Sequence, residues 1–275
     1  MWEGRPIVAA IAADSVARAP IQAGEWLRGR FGGKLHLLRA TRSPESALGA
    51  TEDRLRTAWQ GLADEPGEPP RIAAVSGSVP KAIIRYAQEV DAGVVLFGPN
   101  RRSGGVSATI GTTAERVLRA AIVPCMIVPR WTGAPRRILI PVDRSNAARG
   151  ALRLAARWFA TDPEVTLRVI QVSAIAEPEH LRSMLSEREI EEEFRAGCGG
   201  DCRLRLEHGV TTAPTAPEGI LGEVARWGPH LTVLGTRGSG VAGRVAFGSV
   251  AGHVARSIEH PLLLVPETHR HALVG

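Results

Sequence analysis

Short apolar runs alternate with longer, mixed apolar and polar stretches along the whole chain. The short runs predict strands, and because they are continuous rather than alternating, they indicate strands that are covered on both faces. The longer stretches predict helices between these strands. Strands and helices taken in turn are typical of a doubly wound α/β fold with a parallel sheet.

Both halves of the chain predict the same order of elements, joined by a linker at residues 131–135. The first half predicts strands at 7–12, 34–39, 71–75, 93–97 and 125–128, with helices at 17–30, 44–62, 80–89 and 112–121. The second half predicts strands at 137–142, 165–172, 202–207, 231–234 and 262–265, with helices at 146–160, 177–195, 217–227 and 250–259. Each half therefore predicts one open, parallel, five-stranded sheet.

The two halves are copies of one another at a constant spacing. Gly98 and Gly235 each end an apolar run, and they lie 137 residues apart. The same offset pairs Gly111-Thr112 with Gly248-Ser249, Pro124 with Pro261, residues 127–129 with 264–266, and residues 80–83 with 217–220. So many matches at one offset indicate a tandem duplication, with domains at 1–130 and 137–268.

Composition changes this picture little, but it excludes several classes of protein. The 275 residues are 44% hydrophobic and 23% charged, which excludes a disordered, collagen-like or coiled-coil chain. No apolar stretch approaches the roughly 20 residues that cross a bilayer, so no membrane span is expected. No signal peptide is expected either, and we expect a cytoplasmic location. The net charge of +6 is not clustered, which makes nucleic acid an unlikely partner.

The candidate chemistry lies in the glycine-rich segment 235–249 of the second half. It leaves a predicted strand and delivers Gly248 and Ser249 to the start of a predicted helix. Open α/β sheets bind ligands beyond the carboxyl ends of their strands. Free N–H groups at a helix N-terminus favour an anion, and glycine lets a phosphate approach the backbone.

The spacing Gly235-x2-Gly238-x9-Gly248-Ser249 resembles the nucleotide signature of the ATP-binding universal stress protein family. The turn at residues 141–145 and the closing run at 261–266 resemble that family as well. The resemblance covers both halves and implies two adenine nucleotide α-hydrolase-like, Rossmann-like domains packed as a pseudo-dimer through their closing strands. It leaves open whether two chains pair as a homodimer.

This resemblance also implies a function. The protein is expected to bind ATP, or ADP or AMP, in its C-terminal domain, with Mg²⁺ as an optional companion. It would act as a stress-response sensor or regulator of a partner protein that the sequence does not identify, with little or no hydrolysis. The residues expected at the nucleotide are Pro141, Val142, Asp143, Val172, Gly235, Arg237, Gly238, Gly248, Ser249 and Val250.

The first half departs from the motif. Arg101 stands where the second glycine is expected, Pro99 removes an N–H group, and Ala13 stands where the second half has Asp143. We therefore expect this half to be a degenerate copy that binds nucleotide poorly or not at all. The alternative is that the Arg101 side chain reaches a phosphate.

Three other interpretations stay open. The glycine loop could be a plain connection, with Asp143 and Ser249 as helix caps, in a nucleotide-independent interaction module. A transferase or pyrophosphatase is a further candidate, although the chain has neither a Walker motif nor a G-x-S-x-G elbow. The pair Cys198-x3-Cys202 favours loop thiols, with a redox pair or a metal site as alternatives.

Overall fold

The computed structural model describes residues 4–12, 18–61, 68–99, 110–120, 123–173, 184–237 and 247–267. The chain folds as two compact units that divide between Gly133 and Ala134. Each unit carries a parallel sheet with helices between successive strands.

The strands of the first unit are β1 (Ile7–Ala10), β2 (Leu35–Thr41), β3 (Arg71–Ser76), β4 (Val94–Phe97) and β5 (Cys125–Ile127). Its helices are α1 (Arg18–Phe31), α2 (Leu48–Gln60), α3 (Val79–Glu89) and α4 (Thr112–Ala120), and a 3₁₀ turn at Glu45–Ala47 precedes α2. The strand order is β3-β2-β1-β4-β5, with parallel pairing throughout.

The strands of the second unit are β6 (Arg137–Pro141), β7 (Thr166–Ser173), β8 (Arg205–Thr212), β9 (Leu231–Gly235) and β10 (Leu262–Val265). Its helices are α5 (Asn146–Phe159), α6 (Glu187–Cys198), α7 (Ala216–Trp227) and α8 (Ser249–Ser257). The order β8-β7-β6-β9-β10 repeats that of the first unit. The predicted doubly wound α/β fold is confirmed.

Burial follows the position of each strand in its sheet. The strands β1, β4, β6 and β9 lie inside their sheets, and almost every side chain on them is buried. The outer strands β3 and β8 are largely half-exposed, and Val210 on β8 is 57% exposed. Continuous apolar runs therefore belong to strands covered on both faces, as expected for parallel sheets.

Two elements of the second unit were predicted with wrong boundaries. The helix predicted at 177–195 begins only at Glu187, because Ser186 and Glu189 form a capping box there; residues 177–183 lie outside the described residues. The strand predicted at 202–207 is β8, which begins at Arg205 and continues to Thr212. Its second half, residues 209–212, is mostly exposed and contains a single apolar side chain, so it carries no apolar run to mark it.

Within the described ranges, no helix is long and apolar enough to cross a membrane.

A buried polar pair lies within the first unit. His36 on β2 is only 3% exposed, and its Nδ1 lies 3.0 Å from the hydroxyl oxygen of Tyr86 on α3. Burial, helped by the positive charges of Arg71 and Lys34, lowers the pKa of His36 to about 4. The folded protein therefore holds His36 neutral at neutral pH.

This pair makes the stability of the first unit dependent on pH. Between about pH 6.5 and pH 4 the unfolded chain binds a proton at His36 that the folded chain does not, so stability falls as the pH is lowered. We expect His36 to account for about 3 kcal/mol of that loss. Hydrogen exchange of β1 and β2, measured across this pH range, should show this loss of stability.

A His36→Phe/Tyr86→Phe double variant, which removes both polar groups, should lose less stability over the same pH range. A loss equal to that of the wild type would contradict the attribution to His36.

Candidate functional site

A cavity of about 370 Å³ lies in the second unit, where β6 and β9 end. These two strands are neighbours in the sheet, and the order of the strands along the chain reverses between them. Open α/β sheets bind their ligands at this switch point, and the cavity volume falls in the range of small-molecule sites.

The cavity gathers most of the residues that the sequence analysis proposed. Nine of the ten line it: Pro141, Val142, Asp143, Val172, Gly235, Arg237, Gly248, Ser249 and Val250. The tenth, Gly238, lies outside the described residues. Four separate segments of the second unit thus meet around one space.

Other lining residues were missed by the sequence analysis. They are Ala148, Ile170, Ala216, Ile220, Leu234, Thr236 and Ala251. Leu234 and Thr236 flank a motif glycine, so the motif itself could have indicated them. Ala216 and Ile220 begin α7, and no spacing in the sequence connects that helix with the glycine loop.

The last residue of β9, Gly235, sets the distance between the sheet and α5. A Cβ atom there would lie 2.6 Å from the carbonyl carbon of Ala147 and 2.7 Å from the amide nitrogen of Ala148. Both are backbone atoms of the first turn of α5, which cannot move independently of the helix. Only glycine therefore allows α5 to begin directly against the end of β9.

Ser145 connects the first turn of α5 with the segment after β9. Its hydroxyl accepts a hydrogen bond from the Ala148 amide at 3.1 Å and donates one to the Arg237 carbonyl at 3.1 Å. Ser145 is therefore the N-cap of α5. The Asp143 carboxylate accepts a hydrogen bond from the Ser145 amide at 2.9 Å, which orients it at the edge of the cavity.

The first turn of α8 faces the cavity without a capping side chain. Gly248 is its N-cap, so no side chain there accepts from the amides of the first turn. The Gly248 amide donates to the Thr236 carbonyl at 2.8 Å, which holds the helix start beside β9. Ser249 and Val250 line the cavity with their backbone at the positive end of the helix dipole.

The charged side chains at this end of the cavity form a small network. The Arg237 guanidinium lies 3.7 Å from the Glu267 carboxylate, which also accepts a hydrogen bond from the Asn146 side-chain amide at 3.2 Å. Arg237 is about a quarter exposed and Glu267 less than half exposed. An anion bound here would share Arg237 with Glu267.

The cavity also has an apolar wall. Its side chains come from the residue after β6, from β7, from β9 and from α7: Val142, Ile170, Val172, Ile220 and Leu234. The cavity therefore combines an apolar wall with the first turn of α8 and Ser249. Such a space suits a ligand that joins a flat apolar group to an anionic one.

The matching positions of the first unit are described only in part. Gly98, Gly111 and Thr112 are described, and α4 begins at Thr112 as α8 begins at Ser249. Ala13 and Arg101 lie outside the described residues. The expectation that this unit is a degenerate copy stays a prediction.

Metal ligands do not cluster in the described part of the chain, where no three His, Cys, Asp or Glu residues are placed to hold an ion together.

Comparison with known proteins identifies a family. The sequence profile described as the universal stress protein family matches residues 4–129 and 135–266. No curated protein matches the chain.

Three solved structures have the same fold along nearly the whole chain. One is a protein of Pseudomonas aeruginosa UCBPP-PA14 assigned to the universal stress proteins, with 20% identity and a TM-score of 0.68, covering 99% of this chain and 97% of that one. A functionally unknown protein from P. aeruginosa PAO1 has 22% identity and a TM-score of 0.65, covering 99% and 96%. A universal stress protein from Archaeoglobus fulgidus DSM 4304 has 17% identity and a TM-score of 0.65, covering 96% and 99%.

The two roles of Ser145 can be separated with a second capping serine. Ser145→Ala and Ser186→Ala should each lower the free energy of unfolding by about 1 kcal/mol, because each removes a helix N-cap. Only Ser145→Ala also removes the hydrogen bond to the Arg237 carbonyl. Hydrogen exchange of residues 235–237 should therefore accelerate in Ser145→Ala alone; the same acceleration in both variants would show that the bond does not hold this segment.

Proposed function

Since the chain belongs to the universal stress protein family, we propose that its second unit binds ATP or a related adenine nucleotide in the cavity beyond β6 and β9. Occupancy of this cavity would make the protein a sensor or regulator in the stress response. The observation that supports this best is that one space is lined both by an apolar wall and by a helix start whose N-cap is a glycine.

The apolar wall is suited to the adenine ring. Ile170, Val172 and Ile220 offer aliphatic surface to a flat base. Val172 also lies on β7 next to the end of that strand, where backbone groups are within reach of the polar edge of a base. We therefore propose that the base lies beside β7 and α7, with the glycine segment left for the rest of the nucleotide.

Asp143 is suited to the ribose. One hydrogen bond from the Ser145 amide orients its carboxylate. An ionised carboxylate has room for about four hydrogen bonds, so it can also accept from a ribose hydroxyl. Asp143 lines the same cavity as the apolar wall and the start of α8, two residues after β6 ends.

The start of α8 is suited to the phosphates. Its first-turn amides have no capping side chain, and the helix dipole favours negative charge there. The Ser249 hydroxyl adds a donor, and Gly248 leaves the backbone accessible. Mg²⁺, where it accompanies the phosphates, would depend mainly on phosphate oxygens and water, with Asp143 as the one carboxylate among the described residues that line the cavity.

Sensing fits the charges of the cavity better than rapid turnover does. Both lysines of the chain, Lys34 and Lys81, lie in the first unit, so no lysine of the second unit can neutralise a leaving phosphate. Arg237 already pairs with Glu267. We therefore expect any hydrolysis to be slower than about one turnover per second, at the low end for enzymes.

The proposal predicts that the purified protein carries, or takes up, one adenine nucleotide per chain. Gly248→Val should abolish binding, because its side chain would occupy the space that a phosphate needs. The backbone at Gly248, with φ −59° and ψ 147°, accepts valine without strain, so the variant should fold. Gly111→Val is the matched control, since it makes the same change at the corresponding position of the first unit. Mass spectrometry of the released nucleotide and calorimetric titration with ATP, ADP and AMP give the measurement.

Each outcome has a definite meaning. Loss of nucleotide in Gly248→Val alone supports one site in the second unit. Loss in both variants, or two nucleotides per chain, would show that the first unit binds as well. No nucleotide and no response to titration would contradict the proposal and favour a nucleotide-independent interaction module.

A further inference from the structure

Two thiols meet in the turn that joins α6 to β8. Cys198 is the last residue of α6, and its Sγ lies 2.6 Å from the Sγ of Cys202. Gly199, with φ 69°, and Gly200, with φ 146°, reverse the chain between them. Both conformations are in the left-handed region, where glycine is favoured, so the turn that brings the thiols together is a property of this sequence.

The backbone on both sides of the thiols is fixed to α5. A Cβ atom on Gly197 would lie 2.5 Å from the Arg153 carbonyl oxygen, so the last turn of α6 rests directly on α5. On the other side, the amides of Arg203 and Leu204 donate to the Ala160 carbonyl at the end of α5, at 2.7 Å and 3.3 Å. One helix therefore holds both thiols in contact.

We propose that Cys198 and Cys202 form a redox-active dithiol that a low-molecular-weight disulfide, such as oxidised glutathione, converts to an intrachain disulfide. Neither thiol belongs to the candidate nucleotide site, which lies at the opposite end of α5. The 14 residues of that helix separate the two places by about 20 Å.

The two thiols differ in exposure, and this sets the order of the reaction. Cys202 is exposed, whereas Cys198 is partly buried. Burial and the hydrogen bond to Cys202 raise the pKa of Cys198 to about 12, so Cys198 keeps its proton. Cys202 is therefore the thiol that attacks an external disulfide first.

The reaction balances as two successive exchanges. The Cys202 thiolate attacks one sulfur of oxidised glutathione, the glutathione S–S bond breaks, and the first glutathione leaves with the proton that Cys202 gave up. The Cys198 sulfur then loses its proton and attacks the Cys202 sulfur of the mixed disulfide. The second glutathione leaves with that proton, so two thiols are oxidised and one glutathione disulfide is reduced to two thiols.

The third cysteine provides an internal control. Cys125 on β5 is fully buried, and burial raises the pKa of its thiol to about 12. It should stay reduced in the folded protein. A metal at the pair would need more ligands, and the described residues contain no group of three that could supply them.

Trypsin makes the test direct, because cleavage after Arg195 and Arg203 places both thiols, and no other, in the peptide 196–203. The folded full-length protein is equilibrated with glutathione buffers, quenched with acid and digested. We expect this peptide to lose two hydrogen masses, with Cys125 still reduced and no cross-linked dimer on a non-reducing gel.

In the folded protein the equilibrium should favour the disulfide at least about tenfold more than in the synthetic peptide 196–203, because the fold holds the thiols together.

Two serine variants test the order of attack. Cys198→Ser should accumulate a glutathione adduct on Cys202, since the second exchange is blocked, and Cys202→Ser should form its adduct more slowly. Cys125→Ala is the control and should form the disulfide as the wild type does. Stable glutathione adducts in the wild type, cross-linked dimers, or an equilibrium equal to that of the free peptide would each overturn the proposal.

Discussion

The close contact between the end of β9 and the start of α5 is the constraint on which the second unit depends. It exists because Gly235 has no side chain where the backbone of Ala147 and Ala148 passes. With α5 seated there, the Ser145 hydroxyl reaches the Arg237 carbonyl, and the Asp143 carboxylate is oriented beside the cavity. Gly235 therefore serves packing first, and any accessibility to a ligand follows from the geometry that this packing creates.

Helix α5 positions both the cavity and the pair of thiols, which are chemically different. Its first turn builds one side of the cavity, and its last turn anchors the thiol pair. Along its length, Arg149 and Arg153 form ion pairs with Glu193 of α6, which is only 8% exposed. Buried charges of this kind must be paired, so they hold α6 in one position against α5. Cys198, the last residue of α6, is thereby also held in one position relative to α5.

The predictions from sequence succeeded where a residue pattern reflects a local requirement. Strands covered on both faces carry continuous apolar runs, so the inner strands were predicted closely. The edge strand β8 was placed wrongly because half of it faces solvent and carries no such run. At the cavity, the segment after β9 was predicted from its glycine spacing, and the segment after β6 from the family resemblance of the turn at residues 141–145. Ala216 and Ile220 were missed because only the packing of α7 over β7 brings them there.

By itself, the sequence determined the tandem repeat, the α/β class and the segments that end each inner strand, because apolar runs and glycine spacing are properties of neighbouring residues. Only the tertiary structure decided which side chains meet. It paired Arg237 with Glu267, gave Ser145 its bond to the Arg237 carbonyl, and placed the Cys198 and Cys202 thiols in contact. The physical reason is that these contacts depend on how α5, α6 and the strand ends pack, and no spacing along the chain specifies that packing.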